Sequence, residues 1–179
     1  MSLSADEIVD IVDESNQVLR QERREIMRKE RLLHRSTYIF ARNSQGEYYV
    51  QKRTMLKDYC PGYYEVVAGG VVGAGETYAE NADREAEEEL GIPPSAGKKH
   101  LFTFLYQDER IRVFGDAWEV VWDGALTLQK EEVESVHPMT LEEVFIRVEA
   151  GDKFTPDSLY ATRKYLDFLR EKGEKSNGN

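Results

Sequence analysis

The sequence predicts one α/β domain, an α/β/α sandwich around a mixed β-sheet. Three observations carry that expectation. Strand-patterned segments dominate the first two thirds of the chain, one helix-patterned segment interrupts them at 77–90, and further helix-patterned segments close the chain. Strands that do not alternate regularly with helices exclude a βαβ repeat, and the helices must then cover the two sheet faces. No internal repeat or linker divides the 179 residues, a length that suits one domain with its own core. Residues 1–172 are assigned to that domain, and 173–179, polar and rich in Gly and Asn, to a flexible tail.

The elements follow in order. "EIVDIVD" and "VLRQER" read as strands around the turn "DESNQ", and "REIMRKERLL" as a short helix. "LHRSTYIFAR", the turn "NSQG" and "EYYVQKR" form a hairpin. "KDYCPG" is a loop, and "YYEVVAGGVV" is β-rich until its glycines. Residues 77–90 are helical, and "HLFTFLYQDE" and "IRVFGDAWEVVWDG" are two long strands. "ESVHPM" is expected to be a loop, with His137 a loop histidine. "TLEEVFIRVEA" is a helix whose Thr140 and Glu143 form a capping box. In the last helix Thr155 is the cap, Pro156 takes the first turn, and Phe154 and Leu159 form a hydrophobic staple.

Composition narrows the function classes. A hydrophobic fraction of 40% and an aromatic fraction of 11% exclude wholesale disorder. A formal net charge of −10 argues against a nucleic-acid polymer as partner. The lone Cys60 cannot form a disulfide within the chain, which points to a reducing compartment. The start "MSLSADEIVD" has no basic, apolar leader pattern and no apolar run is long enough to span a membrane, so a cytoplasmic protein is expected.

The stretch "GGVVGAGETYAENADREAEEELGI" carries the chemistry. On a helix Glu85, Glu88 and Glu89 fall at i, i+3 and i+4 and share one face, while Glu87 points elsewhere. Ala79, Ala82, Ala86 and Leu90 form a separate stripe that can press closely on a sheet. The preceding glycines let the backbone turn sharply at short range. A charge run ordinarily means a solvated helix face. Here a glycine loop and three clustered carboxylates offer the hard oxygen ligands that Mg²⁺ or Mn²⁺ favours. The spacing is G-x5-E-x7-R-E-U-x-E-E-x-G-U, with U apolar. Gly70, Glu76, Arg84, Glu85, Glu88, Glu89 and Gly91 fill its fixed positions, and Ala86 and Ile92 its apolar ones.

This is the signature of the Nudix hydrolases, and the chain resembles that family from end to end. The resemblance implies an α/β/α sandwich and Mg²⁺-dependent hydrolysis, with Mn²⁺ as substitute, of a small-molecule diphosphate linked to another group. It implies Glu85, Glu88, Glu89 and the Gly70 carbonyl as metal ligands. Glu76 and Arg84 look like the pair bracing loop against helix, with Gly91 structural. A carboxylate takes the proton from the attacking water. Glu88 and Glu89 are candidates, as is Glu132 in "LQKEEVESV", whose alternative is a solvated loop acid. Oligomeric state stays open, a homodimer included.

The flanks "LLHRSTYIFA" and "YYVQKRTMLKDYCPGYYEVVAGGV" also resemble type I isopentenyl-diphosphate isomerases, a branch of the same fold. In that branch the bases matching Arg53 and Lys57 hold the substrate diphosphate; the alternative is a pair of surface bases. His34 matches an "LHR" of the branch and reads as a structural histidine. The branch's catalytic cysteine falls at Gly69, and Cys60 lies too far upstream to replace it. The resemblance therefore favours hydrolysis over isomerisation.

Overall fold

The computed structural model describes residues 5–176. A hairpin opens the described chain, with β1 (Ile8–Val12) and β2 (Val18–Arg23) paired antiparallel. The Asp13 carboxylate closes its turn by accepting from the backbone N–H groups of Ser15 (2.8 Å) and Gln17 (2.9 Å). The short helix α1 (Arg24–Lys29) follows and buries Met27 against Val9, Ile11 and Val71.

The main sheet is mixed. β3 (Leu33–Arg42) runs parallel to β7 (Arg112–Val121), and β7 runs antiparallel to β6 (Lys99–Gln107). On the other side stand β4 (Tyr48–Arg53), the two-residue β5 (Tyr64–Glu65) and β8 (Val133–Met139). β3 is central and covered on both faces, which is why "TYIFA" is a continuous buried run. Its two-residue period sends Tyr38 and Phe40 to one face and Ile39 and Ala41 to the other.

Helix α2 (Tyr78–Leu90) covers the face of Ile39 and Ala41 through Ala82, Ala86 and Leu90. Thr77 caps it, accepting from Glu80 N (3.2 Å) while the Glu80 carboxylate accepts from Thr77 N (2.9 Å). Gly91 ends it in the left-handed region. Helices α3 (Leu141–Glu149) and α4 (Pro156–Ser176) lie on the opposite face, packing Leu141, Val144, Ala161 and Tyr165 against Tyr38, Phe40, Tyr48 and Val50. The α/β/α sandwich stands as expected, as does the Thr140–Glu143 capping box of α3. Phe154 and Leu159 both join the cluster beneath α4. Among the described residues no helix is long and apolar enough to cross a membrane.

Three expectations are corrected. The hairpin of β3 and β4 has its turn, held by Asn43 Oδ1 accepting from Gln45 N (3.0 Å) and Glu47 N (2.9 Å), but its ladder stops at Arg42 opposite Tyr48. The strands then diverge, and residues 63–73 enter the wedge between them. That segment bonds first to β4, at Gln51–Glu65 and Lys52–Tyr64, and then to β3, at Ile39–Ala68 and Ser36–Val71. Most of "YYEVVAGGVV" is therefore a bridge between two strands rather than a strand. Second, "VESVHPM" is a strand, not a loop: β8 pairs with β4 from Tyr48–Met139 to Arg53–Val133. Pro138 is tolerated because β8 is an edge strand. His137 thus sits opposite Val50. Third, α4 continues to Ser176, into the stretch assigned to a flexible tail; residues 177–179 lie outside the described residues.

Candidate active site

The wedge between β3 and β4 creates the site. At Gly69 the backbone has φ +136°, and a Cβ there would stand 2.2 Å from the Thr37 carbonyl oxygen. No side chain fits position 69 unless the backbone moves. A cysteine at this position would meet the same clash. A Cβ at Gly70 would stand 2.8 Å from Glu85 Oε1, so the bare glycine lets the Glu85 carboxylate lie against the loop. The Gly70 carbonyl, expected as a metal ligand, accepts from Thr37 N (3.0 Å), which occupies one of its lone pairs.

Helix α2 supplies the acids, but the expected triplet is split. Glu85 and Glu89 are buried, whereas Glu88 stays at the rim with its side chain 46% exposed. Glu87 is exposed. Glu89 Oε2 accepts from Gly69 N (3.1 Å) and from Gln51 Nε2 (3.1 Å), so the loop and β4 both hold it. The helix carries no base in its last turn, and these acids lie toward the end where the helix dipole is also negative.

Arg84 is the counterweight. Its guanidinium reaches Glu76 (Nε–Oε1 2.9 Å, Nη2–Oε2 3.2 Å), Glu85 Oε1 (3.0 Å) and Glu88 Oε2 (3.0 Å). Glu76 Oε2 also accepts from Gly73 N (2.9 Å) and Asn81 Nδ2 (2.9 Å). Burial alone would raise the Glu76 carboxyl, but the hydrogen bonds from Arg84, Asn81 and Gly73 hold it below its ordinary value. Asn81 is buried and links helix, loop and sheet: Nδ2 donates to the Val71 carbonyl (3.1 Å) and Oδ1 accepts from Thr37 Oγ1 (2.5 Å).

The electrostatics differ inside the fold. Burial, with the neighbouring Glu89 charge, pushes Glu85 up to about 8 against the pull of Arg84. Burial raises Glu89 as well, although Lys57 opposes it with Nζ 3.8 Å from Oε1. The two carboxylates thus carry less positive charge nearby than their burial demands. Lys57 also forms an ion pair with Glu132, which brings that loop acid to the edge of the site.

Arg53 is placed differently from the surface-base alternative. It is buried, paired with Glu65, and donates from Nε (3.2 Å) and Nη2 (2.9 Å) to the Tyr59 carbonyl. Burial still pushes Glu65 up to about 7. Arg53 and Lys57 both line a small cavity beside Gly69 and Gly70. His34 is buried with Nδ1 2.9 Å from the Leu32 carbonyl, and burial lowers it to about 3, so it stays neutral. Cys60 is buried and its thiol is raised by burial, which leaves it an unreactive position.

A divalent cation suits this donor set. Glu85 and Glu89 are hard oxygen donors that Arg84 and Lys57 only partly offset, and Gly70 leaves room against Glu85. Among the described residues no group of three or more His, Cys, Asp or Glu side chains stands in a metal-holding arrangement. Arg84 and Lys57 are drawn onto the acids instead. Reasoning from sequence passed over Gln51, Asn81 and Thr37. Their only signal was polarity at positions where the surrounding pattern buries side chains.

Comparison with known proteins identifies relatives of this chain. Residues 32–161 match the family model described as NUDIX domain. The chain is 46% identical over 164 residues to an uncharacterized Nudix hydrolase, YfcD, of Salmonella typhi, covering 92% of this chain and 87% of that one. It is 43% identical over 160 residues to an uncharacterized Nudix hydrolase of Streptomyces coelicolor, covering 88% and 87%. Among solved structures it superposes on DR0079 from Deinococcus radiodurans with a TM-score of 0.79 at 30% identity, covering 88% of this chain and 98% of that one.

Proposed function

The chain belongs to the Nudix family of hydrolases, and from that premise we propose that it cleaves a small-molecule diphosphate by attack of water at phosphorus, with Mg²⁺ or, in its place, Mn²⁺. The observation that carries this reading is the buried, under-neutralised pair Glu85 and Glu89 pressed against the Gly69–Gly70 loop. These two carboxylates would hold the cation, with Glu88 joining from the rim. When bound, the ion neutralises diphosphate oxygens and lowers the pKa of the attacking water.

The chain's own residues do the rest. Gly69 N–H and Gln51 fix Glu89, and Arg84 fixes Glu85 and braces the helix on Glu76. Glu132 is the candidate general base. Its side chain is 34% exposed, within reach of water, whereas both donors to Glu89 tie that acid down. Glu88 is the alternative. A net charge of −10 keeps nucleic-acid polymers away, while a small diphosphate arrives with its own cation.

The test is Glu89→Gln, assayed on a panel of diphosphate compounds with Mg²⁺ and with Mn²⁺. The variant should fold and lose at least about a hundredfold in kcat/KM, because even a residue that only supports a metal ligand is worth about 10–100-fold. Undiminished hydrolysis by the variant would sink the assignment.

A further inference from the structure

The hairpin of β1 and β2 precedes the stretch at 32–161 that matches the family model, yet it holds the loop that leads into α2. Three consecutive residues of that loop are tied to three consecutive residues of β1. Val9 bridges Gly73, the Ile8 carbonyl accepts from Ala74 N (2.9 Å), and Asp10 Oδ2 accepts from Gly75 N (3.1 Å). The first two ties are made by backbone, so they do not depend on which side chains stand at Ile8 and Val9. The third is made by the Asp10 carboxylate, on a glycine held in the left-handed region at φ +75°.

Asp10 is 5% exposed. Among the described residues its partners are two neutral donors, Gly75 N and Gln21 Nε2 (3.3 Å), and no cation pairs with it. A buried carboxylate without a cation costs stability. The turn of the hairpin is closed without it, by Asp13. What Asp10 fixes is the loop.

The loop transmits that hold to the acids. Residues 73–76 close on themselves: Gly73 O accepts from Glu76 N (3.1 Å), and Glu76 Oε2 accepts from Gly73 N (2.9 Å). Glu76 in turn carries Arg84, whose guanidinium reaches Glu85 Oε1 and Glu88 Oε2, both at 3.0 Å. Bonds and direct contacts thus run from Asp10 through Gly75, Glu76 and Arg84 to two of the acids assigned to the cation. The hairpin is anchored at its far side. Val9 and Ile11 pack with Met27 and Val71, and Arg24 and Arg28 of α1 both reach Asp58, at 3.1 and 3.4 Å.

We propose that Asp10 is a positioning residue for the cation site: by holding Gly75 N–H it sets the place of Glu76 and, through Arg84, of Glu85 and Glu88. The inference rests on the metal-dependent reading of these acids. It gives the N-terminal hairpin a part in function although it lies before the matched domain.

The experiment measures Mn²⁺ binding to the full chain without substrate, from the paramagnetic resonance signal of the free ion. Asp10→Ala should raise the Mn²⁺ Kd about tenfold, the lower end of what loss of a ligand's supporting partner costs. Asp10→Asn keeps an oxygen that can accept from Gly75 N and should recover most of the affinity. Asp13→Ala is the structural control. It loosens the turn of the same hairpin and its side chain makes no hydrogen bond to residues 73–76, so it should lower Tm and leave the Mn²⁺ Kd as it was. An unchanged Kd in Asp10→Ala, an equal rise in Asp13→Ala, or a loss in Asp10→Asn as large as that in Asp10→Ala overturns the proposal. One arm needs no variant: in the wild type the Gly75 amide should exchange with solvent at least about tenfold more slowly than in an unfolded chain, and exchange at the unfolded rate overturns the hold by Asp10 even where Asp10→Ala does not fold. Glu89→Gln separates this inference from the reading beneath it. If Glu89→Gln weakens Mn²⁺ binding and Asp10→Ala does not, the inference falls alone; if the wild type binds no Mn²⁺, the metal-dependent reading falls and takes the inference with it.

Discussion

The two faces of the central sheet are built from different material. Under α3 and α4 the sheet presents aromatic rings: Phe40 stacks on Tyr165 at 4.4 Å and Tyr38 meets Phe104 at 5.0 Å. The polar groups on that face find partners, as Asp157 does with Tyr38 and Tyr59 and Tyr165 does with Glu119. Under α2 four alanines, Ala41, Ala68, Ala82 and Ala86, join Ile39, Leu90 and Val120 in the packing. Small side chains let the helix sit close, and close approach carries Glu85 and Glu89 onto the glycine loop without enough positive charge around them. One face is satisfied and the other is kept incomplete. On the proposed function, stability and chemistry are divided between them.

Four measurements break or sharpen that division. Phe40→Ala on the aromatic face should cost about 3–5 kcal/mol in denaturant unfolding, with activity per folded molecule retained. Gln51→Leu on the other face should lower Mg²⁺ affinity or activity about 10–100-fold by freeing Glu89, with a stability loss of at most about 1.5 kcal/mol. A larger loss of stability than of function would erase the distinction between the faces.

The third measurement is a pH series without divalent ions. Glu85 in the folded chain sits near 8, above its ordinary 4.5, so folding favours its protonated form. Its contribution is present below about pH 4.5 and is lost as pH rises toward 8. The Tm should fall over that window, by about 2–4 °C for each kcal/mol lost, and Mg²⁺ should flatten the slope by supplying the missing charge. A Tm that rises across the window, or a slope that Mg²⁺ leaves unchanged, contradicts the picture of an under-neutralised pair. The smallest effect is expected at Glu87→Ala. This acid on the outer side of α2 should change stability by less than about 0.5 kcal/mol and leave kcat/KM as it was, which an urea titration and a rate measurement check together.

Local signals made much of this legible. Thr140 with Glu143 marks a helix start, "NSQG" marks a turn, and the i, i+3, i+4 spacing marks which acids share a face. What remained hidden depends on who sits opposite whom. The β3–β4 ladder looks continuous in sequence because nothing in either strand says that residues 63–73 will separate them. Pro138 reads as a loop because a proline is penalised only if its strand is flanked on both sides, and β8 is not. Helical spacing put Glu88 with Glu85 and Glu89, but burial depends on the loop above the helix, and that loop reaches only two of the three. Arg53 matched an anion-binding position, yet Glu65, its partner across the wedge, is visible only in three dimensions. Gln51 was unremarkable in "YYVQKR" until Glu89 arrived beside it.

Gly69 has a consequence for how such a protein changes over generations. Two of the four glycine codons become cysteine codons by a single base change, so a thiol at this position is one mutation away from either of them. The chain cannot make use of it, because the new side chain would run into the Thr37 carbonyl before it could meet a substrate. Any side chain at this position therefore needs the loop to be rebuilt first, so the Gly69 torsion limits which single substitutions the site accepts.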